Sequence, residues 1–171
     1  MRNVCVVITS RASYARIKTA LEALKLIRDV RLMVVTAGSM ELSRFGTPLV
    51  ADVVKREGFP VVGRVHLHVE GDTPLTSALS AGLGIVQLAP LIAELKPDVV
   101  VTIGDRFETL ATAVAASYQN IPLAHAQGGE ITGSLDEKVR HAVTKLSNLH
   151  FAATEKAAER TEKRTDEKIP Q

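Results

Sequence analysis

Short apolar runs alternate with longer amphipathic segments along this chain of 171 residues. The runs are rich in Val and Ile at consecutive positions, which is typical of strands buried on both faces of a parallel sheet. They occupy residues 3–9, 31–36, 61–65, 98–103, 121–125 and 149–153. Segments with helical spacing of apolar residues lie between them, at 13–27, 49–57, 75–95, 107–118 and 136–147. This alternation predicts an α/β fold, a Rossmann-like parallel sheet with helices on both faces.

The last stretch of the chain differs from the rest in composition. It reads EKAAERTEKRTDEKIPQ, with five acidic and five basic residues and little apolar content. That composition predicts a solvated helix that frays into a tail. We therefore expect one Rossmann-like domain over residues 1–154 and a charged helical tail over 155–171, with the chain stopping short of a second domain.

Charge and cysteine content narrow the class of protein. The formal net charge is +2, from 21 basic and 19 acidic residues that are well mixed. This balance argues against a nucleic-acid partner and against a polybasic membrane patch. The single Cys5 lies inside an apolar run, which excludes a disulfide framework. We find no uninterrupted apolar stretch of ~20 residues, and we expect a soluble, cytoplasmic protein without a membrane partner.

Polar residues follow the predicted strands, where an open parallel sheet binds its ligands. The first such segment is TSRASYAR, at residues 9–16. Ser13 is a candidate N-cap, and Arg11 and Arg16 are candidate donors to a diphosphate at the helix N-terminus. The segment lacks the glycine patterns of a dinucleotide fingerprint and of a P-loop. Surface arginines explain it equally well.

The second segment, GDRFE, follows the most apolar strand. Gly104 permits a sharp turn or the close approach of a ligand. Asp105 is a candidate acid/base carboxylate and Arg106 a candidate phosphate-binding cation. The structural alternative is an N-cap at Asp105 beside a solvated arginine.

Two further segments add titratable side chains at the same edge of the predicted sheet. HAQGGE places His125 and Glu130 around two glycines, in a loop that suits close wrapping of a ligand. DEKVRH opens a helix with Asp136, Arg140 and His141 on roughly one face, although helix capping and a surface ion pair are an equal alternative. Metal binding is not indicated, because the alternating His66 and His68 are better explained by an exposed strand or loop.

Together these segments resemble the UDP-N-acetylglucosamine 2-epimerase family, specifically its hydrolysing branch. The resemblance extends to about residue 158 and rests on TSRASYAR, KPDVVVTIGDRFE, IPLAHAQGGEITGSLDEKVRHAVTKLS and LHFAATE. It implies two facing Rossmann-like domains, as in GT-B glycosyltransferases, of which this chain supplies the first. It also implies a nucleotide-sugar substrate, no cofactor and no metal, and we expect a homo-oligomer in the full-length protein.

The resemblance implies a reaction in which C2 is deprotonated, the nucleoside diphosphate is eliminated, and water adds to the resulting glucal. Asp105, Glu130 and Asp136 are then the expected catalytic carboxylates. The expected substrate-binding residues are Arg11, Ser13, Tyr14, Arg106, His125, Gln127, Gly128, Gly129, Ser134, Arg140 and His141.

One residue departs from the family pattern. Gln127 stands where many members carry Glu, and a neutral amide cannot act as a general base. It indicates either weakened activity or a subgroup that uses a different 2-acetamido sugar, such as a diacetamido-6-deoxyhexose. The alternatives are a catalytically incomplete fragment or nucleotide-sugar-binding half-domain, a non-hydrolysing 2-epimerase, and a glycosyltransferase fragment. The last two lack support, because neither G-T-R-P-E nor H-x-E-A-G occurs and GDRFE disfavours a glycosyltransferase.

Overall fold

One six-stranded, all-parallel sheet organises the chain, with the strand order β3-β2-β1-β4-β5-β6. The computed structural model describes residues 1–43, 49–133 and 136–165. The strands are β1 (Arg2–Ile8), β2 (Val30–Ala37), β3 (Val61–Val65), β4 (Val99–Ile103), β5 (Leu123–Ala126) and β6 (Leu149–Phe151). The helices are α1 (Arg11–Leu26), α2 (Val50–Arg56), α3 (Pro74–Leu95), α4 (Phe107–Ser117), α5 (Asp136–Leu146) and α6 (Glu155–Thr165), and a short 3-10 helix covers Gly38–Glu41. The predicted fold class is confirmed.

The sheet separates two apolar cores because successive side chains of each strand point to opposite faces. Cys5 and Val7 of β1 face the layer that includes α3, α4 and α5, whereas Val4 and Val6 face the layer of α1 and α2. Strand β1 lies at the centre, paired with β2 through Val4–Leu32 and with β4 through Cys5–Val100. Burial raises the pKa of the Cys5 thiol to about 12, so this cysteine is an inert core residue.

After β3 the chain returns to the centre of the sheet, and the later strands are added on the other side of β1. This change in the order of strands determines where the candidate site lies. Strands β1, β2 and β3 step one way from the centre, and β4, β5 and β6 step the other way. The loops that follow β1 and β4 therefore diverge, which leaves a crevice at the carboxyl ends of these two neighbouring strands. The segments after β1, β4 and β5 lie at this edge.

Helix α6 packs more closely than the sequence indicates. It contacts α5 and β6, and Ala157 and Thr161 on its inner face are buried. The sequence-based expectation of a solvated helix is thus wrong for this face, while Glu155, Lys156 and Lys163 are exposed as expected. Residues 166–171 of the expected tail lie outside the described residues.

Helix α3 is long and apolar for a domain of this size. It has 22 residues, no charged side chain between Leu75 and Ala93, and a largely unburied surface. By length and composition alone, this helix could cross a membrane, which the sequence analysis did not anticipate. Within the domain its inner face, with Ser80, Gly84, Leu88 and Ile92, is buried, and α3 packs mainly against α4.

Candidate active site

A buried arginine joins two of the loops at the carboxyl edge. Arg140 on α5 donates through Nη2 to Oδ2 of Asp105, which follows β4. Its Nη1 donates to the backbone carbonyl oxygen of Glu130, after β5, at 2.6 Å. The Arg140 side chain is 3% exposed and that of Asp105 is 23% exposed. The buried guanidinium of Arg140 therefore orients the Asp105 carboxylate, which remains partly exposed to solvent.

A neutral histidine fixes the same loops from inside the sheet. His125 on β5 is fully buried, and its Nε2 donates to the carbonyl oxygen of Gly104 at 2.8 Å. Burial lowers the pKa of the His125 imidazole, so the ring stays neutral near pH 7. Gly128 passes so close that an added Cβ would lie 3.0 Å from Nδ1 of the ring. His125 and Gly128 therefore shape the crevice from the interior.

The loop after β5 is held from two sides. Gln127 has a left-handed backbone with φ of 67°, and its Oε1 accepts a hydrogen bond from Nη1 of Arg16 at 2.8 Å. Gly129, at φ of 79°, lies against α6, and its carbonyl oxygen accepts from Arg160 at 3.1 Å. These contacts set the loop between α1 and α6, with the Gln127 amide at the exposed edge.

A buried carboxylate lies beneath the GDRFE turn, and sequence reasoning missed it as a site residue. Glu108 on α4 is 1% exposed, and Nε of the half-exposed Arg106 lies 3.6 Å from its Oε2. Within the described residues neither carboxylate oxygen has a hydrogen-bond partner. Burial raises the pKa of Glu108, while the charge of Arg106 lowers it and that of Asp136 raises it. The sequence could have indicated the burial of Glu108, because it lies three residues before Ala111, on the same face of α4.

Of the remaining predicted site residues, Arg11 belongs to α1, and Asp136 and His141 belong to α5. Arg11 is exposed as the first residue of α1, and Asp136 is partly exposed as the first residue of α5. His141 pairs with Glu137 on the next turn of α5, at 3.6 Å. Ser134 lies outside the described residues.

The structure does not bring Tyr14 to the Asp105 carboxylate. The Tyr14 ring is buried in the core of the α1 layer, edge-on to Phe59, and its hydroxyl donates to Glu57.

Ser13 is also buried, and it is not the N-cap of α1 as predicted. Ser10 caps α1, accepting from the Ser13 backbone N at 3.1 Å. The helix begins two residues earlier than the sequence indicates, which turns Ser13 and Tyr14 inward.

Among the described residues, no group of three or more His, Cys, Asp or Glu side chains is placed to hold a metal ion. His66 and His68 lie between β3 and α3, and the ring of His68 packs on Phe107 at 5.8 Å. The His68 ring therefore packs beside the GDRFE turn, against the side chain of Phe107.

An open parallel sheet with a reversed strand order and charged loops at its carboxyl edge defines the Rossmann-like class of ligand-binding domains. Comparison with known families is more specific. The family model described as UDP-N-acetylglucosamine 2-epimerase matches residues 14–169, and the chain belongs to this family.

Two curated relatives are named as 2-epimerases of the hydrolysing type. The chain is 32% identical over 160 residues to UDP-N,N'-diacetylbacillosamine 2-epimerase (hydrolyzing) of Legionella pneumophila, covering 94% of this chain and 42% of the relative. It is 30% identical over 155 residues to GDP/UDP-N,N'-diacetylbacillosamine 2-epimerase (hydrolyzing) of Campylobacter jejuni, covering 90% and 40%. The chain thus spans about two-fifths of the length of these relatives.

Solved structures establish the architecture. A crystal structure of a UDP-N-acetylglucosamine 2-epimerase matches with a TM-score of 0.84 and 22% identity, over 98% of this chain and 46% of the other. The Neisseria meningitidis enzyme bound to UDP-GlcNAc matches with a TM-score of 0.79 and 22% identity, over 98% and 43%. The chain has the fold of one Rossmann-like half of a GT-B-type protein, which confirms the fold expectation.

Proposed function

We propose that this chain forms one wall of the active site of a hydrolysing nucleotide-sugar 2-epimerase. The observation that carries the proposal is the Asp105 carboxylate, oriented by the buried Arg140 at the carboxyl edge of the sheet. The substrate is UDP-N-acetylglucosamine or a related 2-acetamido sugar nucleotide, and the site is cytoplasmic. The names of the relatives from Legionella and Campylobacter support the hydrolysing type.

The reaction has two stages in this proposal. A base removes the C2 proton, the C1–O bond breaks, and the electron pair of the C2–H bond forms the C1–C2 double bond of a 2-acetamidoglucal. The nucleoside diphosphate leaves with the electrons of the C1–O bond. Hydroxide from water then adds at C1 and a proton adds at the opposite face of C2, which gives the free, inverted sugar.

Both stages require proton carriers, and the first also requires cations that stabilise the departing diphosphate. Asp105, Glu130 and Asp136 are the proposed acid/base carboxylates, because all three lie around the crevice and none is fully buried. The exposed Arg11 and Arg106 are the proposed contacts of the departing diphosphate. Arg140 and His125 act as positioning residues, since both are buried and bind the loops that carry Asp105 and Glu130.

The sugar is proposed to carry a second acetamido group in place of a hydroxyl. Gln127, which Arg16 holds through its Oε1, leaves its amide NH₂ as a donor beside the crevice. A donor suits an acetamido oxygen.

Two alternative functions can be tested by the same experiment as the hydrolysing reaction. The first is a half-domain that binds a nucleotide sugar without turning it over. The second is a non-hydrolysing reaction; the chain is 41% identical over 91 residues, half of its length, to UDP-N-acetylglucosamine 2-epimerase of Escherichia coli K12, whose name does not specify hydrolysis.

Proton NMR in D₂O distinguishes these reactions. The chain, alone and extended by the second domain that its relatives carry, is incubated with UDP-N-acetylglucosamine and with the UDP- and GDP-linked diacetamido sugars. We expect the extended protein to release the nucleoside diphosphate and a free sugar with deuterium at C2, and the chain alone to turn over slowly or not at all. A C2-inverted sugar still linked to its nucleotide contradicts the hydrolysing reaction. Binding without turnover by the extended protein contradicts catalysis.

Asp105→Asn provides the matched variant for this assay. The amide keeps a hydrogen-bond acceptor for Arg140 but cannot carry a proton between pH 6 and 8. We expect turnover to fall by about 10²–10⁴-fold, as for loss of a general acid or base. Glu94→Gln, at an exposed position on α3, is the control and should retain turnover. Equal losses in both variants would contradict the role of Asp105.

A further inference from the structure

Glu108 carries a buried carboxylate that the stability of the fold does not explain. Its side chain is 1% exposed, and within the described residues neither of its oxygens accepts a hydrogen bond. Burying a carboxylate without a hydrogen-bond donor costs free energy, and a neutral side chain of the same shape would avoid that cost. A buried polar group in this state therefore calls for an explanation other than stability.

The packing around Glu108 keeps its carboxylate next to Arg106. On one side the carboxyl lies against the end of β2, where a Cβ added to Gly38 would lie 3.1 Å from Cγ and 3.2 Å from Oε1 of Glu108. On the other side Oε2 lies 3.6 Å from Nε of Arg106. Among the described residues, Arg106 is the one ion-pair partner of this carboxylate. The buried negative charge therefore acts on a single cation.

Arg106 is held on two sides and presents its terminal nitrogens to the crevice. Its Cζ lies 5.5 Å from the centroid of the Phe107 ring, and its Nε edge faces Glu108. Within the part of the chain that the structure describes, Nη1 and Nη2 of Arg106 make no hydrogen bond, and the side chain is 52% exposed. A guanidinium in this position offers two parallel N–H donors, the geometry that fits a phosphate.

We propose that Glu108 is a positioning residue whose buried charge holds the Nε edge of Arg106 and directs Nη1 and Nη2 at the diphosphate of the sugar nucleotide. This inference rests on the proposed function, in which Arg106 contacts that diphosphate. Glu108 acts through Arg106, because its own carboxylate is buried. The attraction is stronger in the protein interior than between two solvated charges. An arginine that is ordered in advance loses less conformational entropy when the ligand binds.

The order of the Arg106 side chain can be measured on the 171-residue chain at pH 8 without any ligand, by ¹⁵N relaxation of the arginine Nε nuclei detected through ¹³Cζ. Arg64, whose Nε donates to Glu41 at 2.7 Å, is the rigid reference, and the exposed Arg11 is the mobile one. We expect Arg106 to be nearly as ordered as Arg64. Glu108→Gln should make Arg106 as mobile as Arg11. Glu41→Gln, which neutralises another buried carboxylate, is the matched control and should leave Arg106 ordered.

Titration with UDP, followed by amide NMR shifts, tests what the positioning achieves. Glu108→Gln keeps the shape of the side chain and removes a buried charge, so this variant should fold. Removing a negative charge would by itself strengthen the binding of an anion, and a weaker affinity therefore identifies lost orientation. We expect Glu108→Gln to raise the Kd for UDP about two- to tenfold. In an Arg106→Met chain the same change should cause no rise, because no guanidinium is left to position.

Failure of this inference can be distinguished from failure of the proposed function. A native chain that binds no UDP at millimolar concentration contradicts the nucleotide-sugar site, and with it the direction assigned to Nη1 and Nη2. UDP binding by a chain in which Arg106 is as mobile as Arg11, or is unaffected by Glu108→Gln, overturns the positioning role alone. An unchanged or lower Kd in Glu108→Gln, or an equal rise in the Arg106→Met chain, overturns it as well.

Discussion

Arg140 is the residue on which the arrangement of the candidate site depends most. Its guanidinium binds Asp105 and the carbonyl oxygen of Glu130 while almost no part of it reaches solvent. Loss of this cation would leave the Asp105 carboxylate without its partner and the carbonyl oxygen without its donor. Breaking a buried pair by removing one partner typically costs 3–5 kcal/mol, far more than an exposed pair is worth.

We predict that Arg140→Met lowers the free energy of unfolding by about 3 kcal/mol. Arg11→Met, which removes an exposed arginine, should change it by less than about 0.5 kcal/mol. Urea denaturation measures both values. The double variant Asp105→Asn/Arg140→Met should lose less than the sum of the single changes, because the second change has no charge left to expose. Strict additivity would show that the two side chains do not interact.

Glu108 contributes a pH dependence of stability. Burial raises the pKa of this carboxyl above its value in the unfolded chain. The folded state therefore disfavours the ionised form, and the resulting loss of stability grows as the pH rises through the unfolded pKa and is complete above the folded pKa.

We predict that Glu108→Gln raises the melting temperature at pH 8 but not at pH 4. A gain of about 1 kcal/mol corresponds to ~2–4 °C for a chain of this size. Glu94→Gln, at an exposed position on α3, should have the same small effect at both pH values. Scanning calorimetry gives the comparison, and a Glu108→Gln shift that is equal at pH 4 and pH 8 would refute a raised pKa.

At the scale of elements, α6 packs so closely on the loop after β5 that Gly129 has no room for a side chain. Gly129 adopts a positive φ, and a Cβ there would lie 2.1 Å from the backbone oxygen of Ala157. No side chain fits that space unless the helix moves. Helix α6 thus holds the QGGE loop in place, and the loop in turn requires glycine.

We predict that Gly129→Ala destabilises the chain by more than about 2 kcal/mol, from backbone strain together with the overlap. Gly133→Ala is the matched control, because Gly133 also has a positive φ but open space around it. It should cost only about 1 kcal/mol. Hydrogen exchange should further show faster exchange along α6 in Gly129→Ala alone. Similar exchange in both variants would contradict the role of α6.

The elements were predictable because their signals are local. Each strand lies within a few residues of its apolar run, and α3 ends at Leu95 as the following Pro97 indicates. The start of α1 was misplaced, because Ser10 and Ser13 are both good caps and only the backbone decides between them. The inner face of α6 was also missed, since two small residues, Ala157 and Thr161, carry its contact.

At the scale of the whole molecule, parallel strands bring distant segments to one edge. The sequence predicts which segments lie there, because they follow consecutive strands. It does not predict that Arg140 pairs with Asp105 across 35 positions, or that Tyr14 turns toward Glu57. Such contacts depend on how α5 and α1 rotate against the sheet, and many rotations satisfy the same apolar pattern.

The most direct test of the central claim is a ¹⁵N–¹H NMR titration of the 171-residue chain with UDP-N-acetylglucosamine at millimolar concentration. The account predicts that amide shifts concentrate in three loops at the carboxyl edge, at residues 9–13, 104–107 and 127–130. The amides of Asn120 and Asn148, at the opposite edge of the sheet, should not move. Shifts confined to that opposite edge or to α3, or no shifts from a folded sample, would contradict a nucleotide-sugar site in this domain.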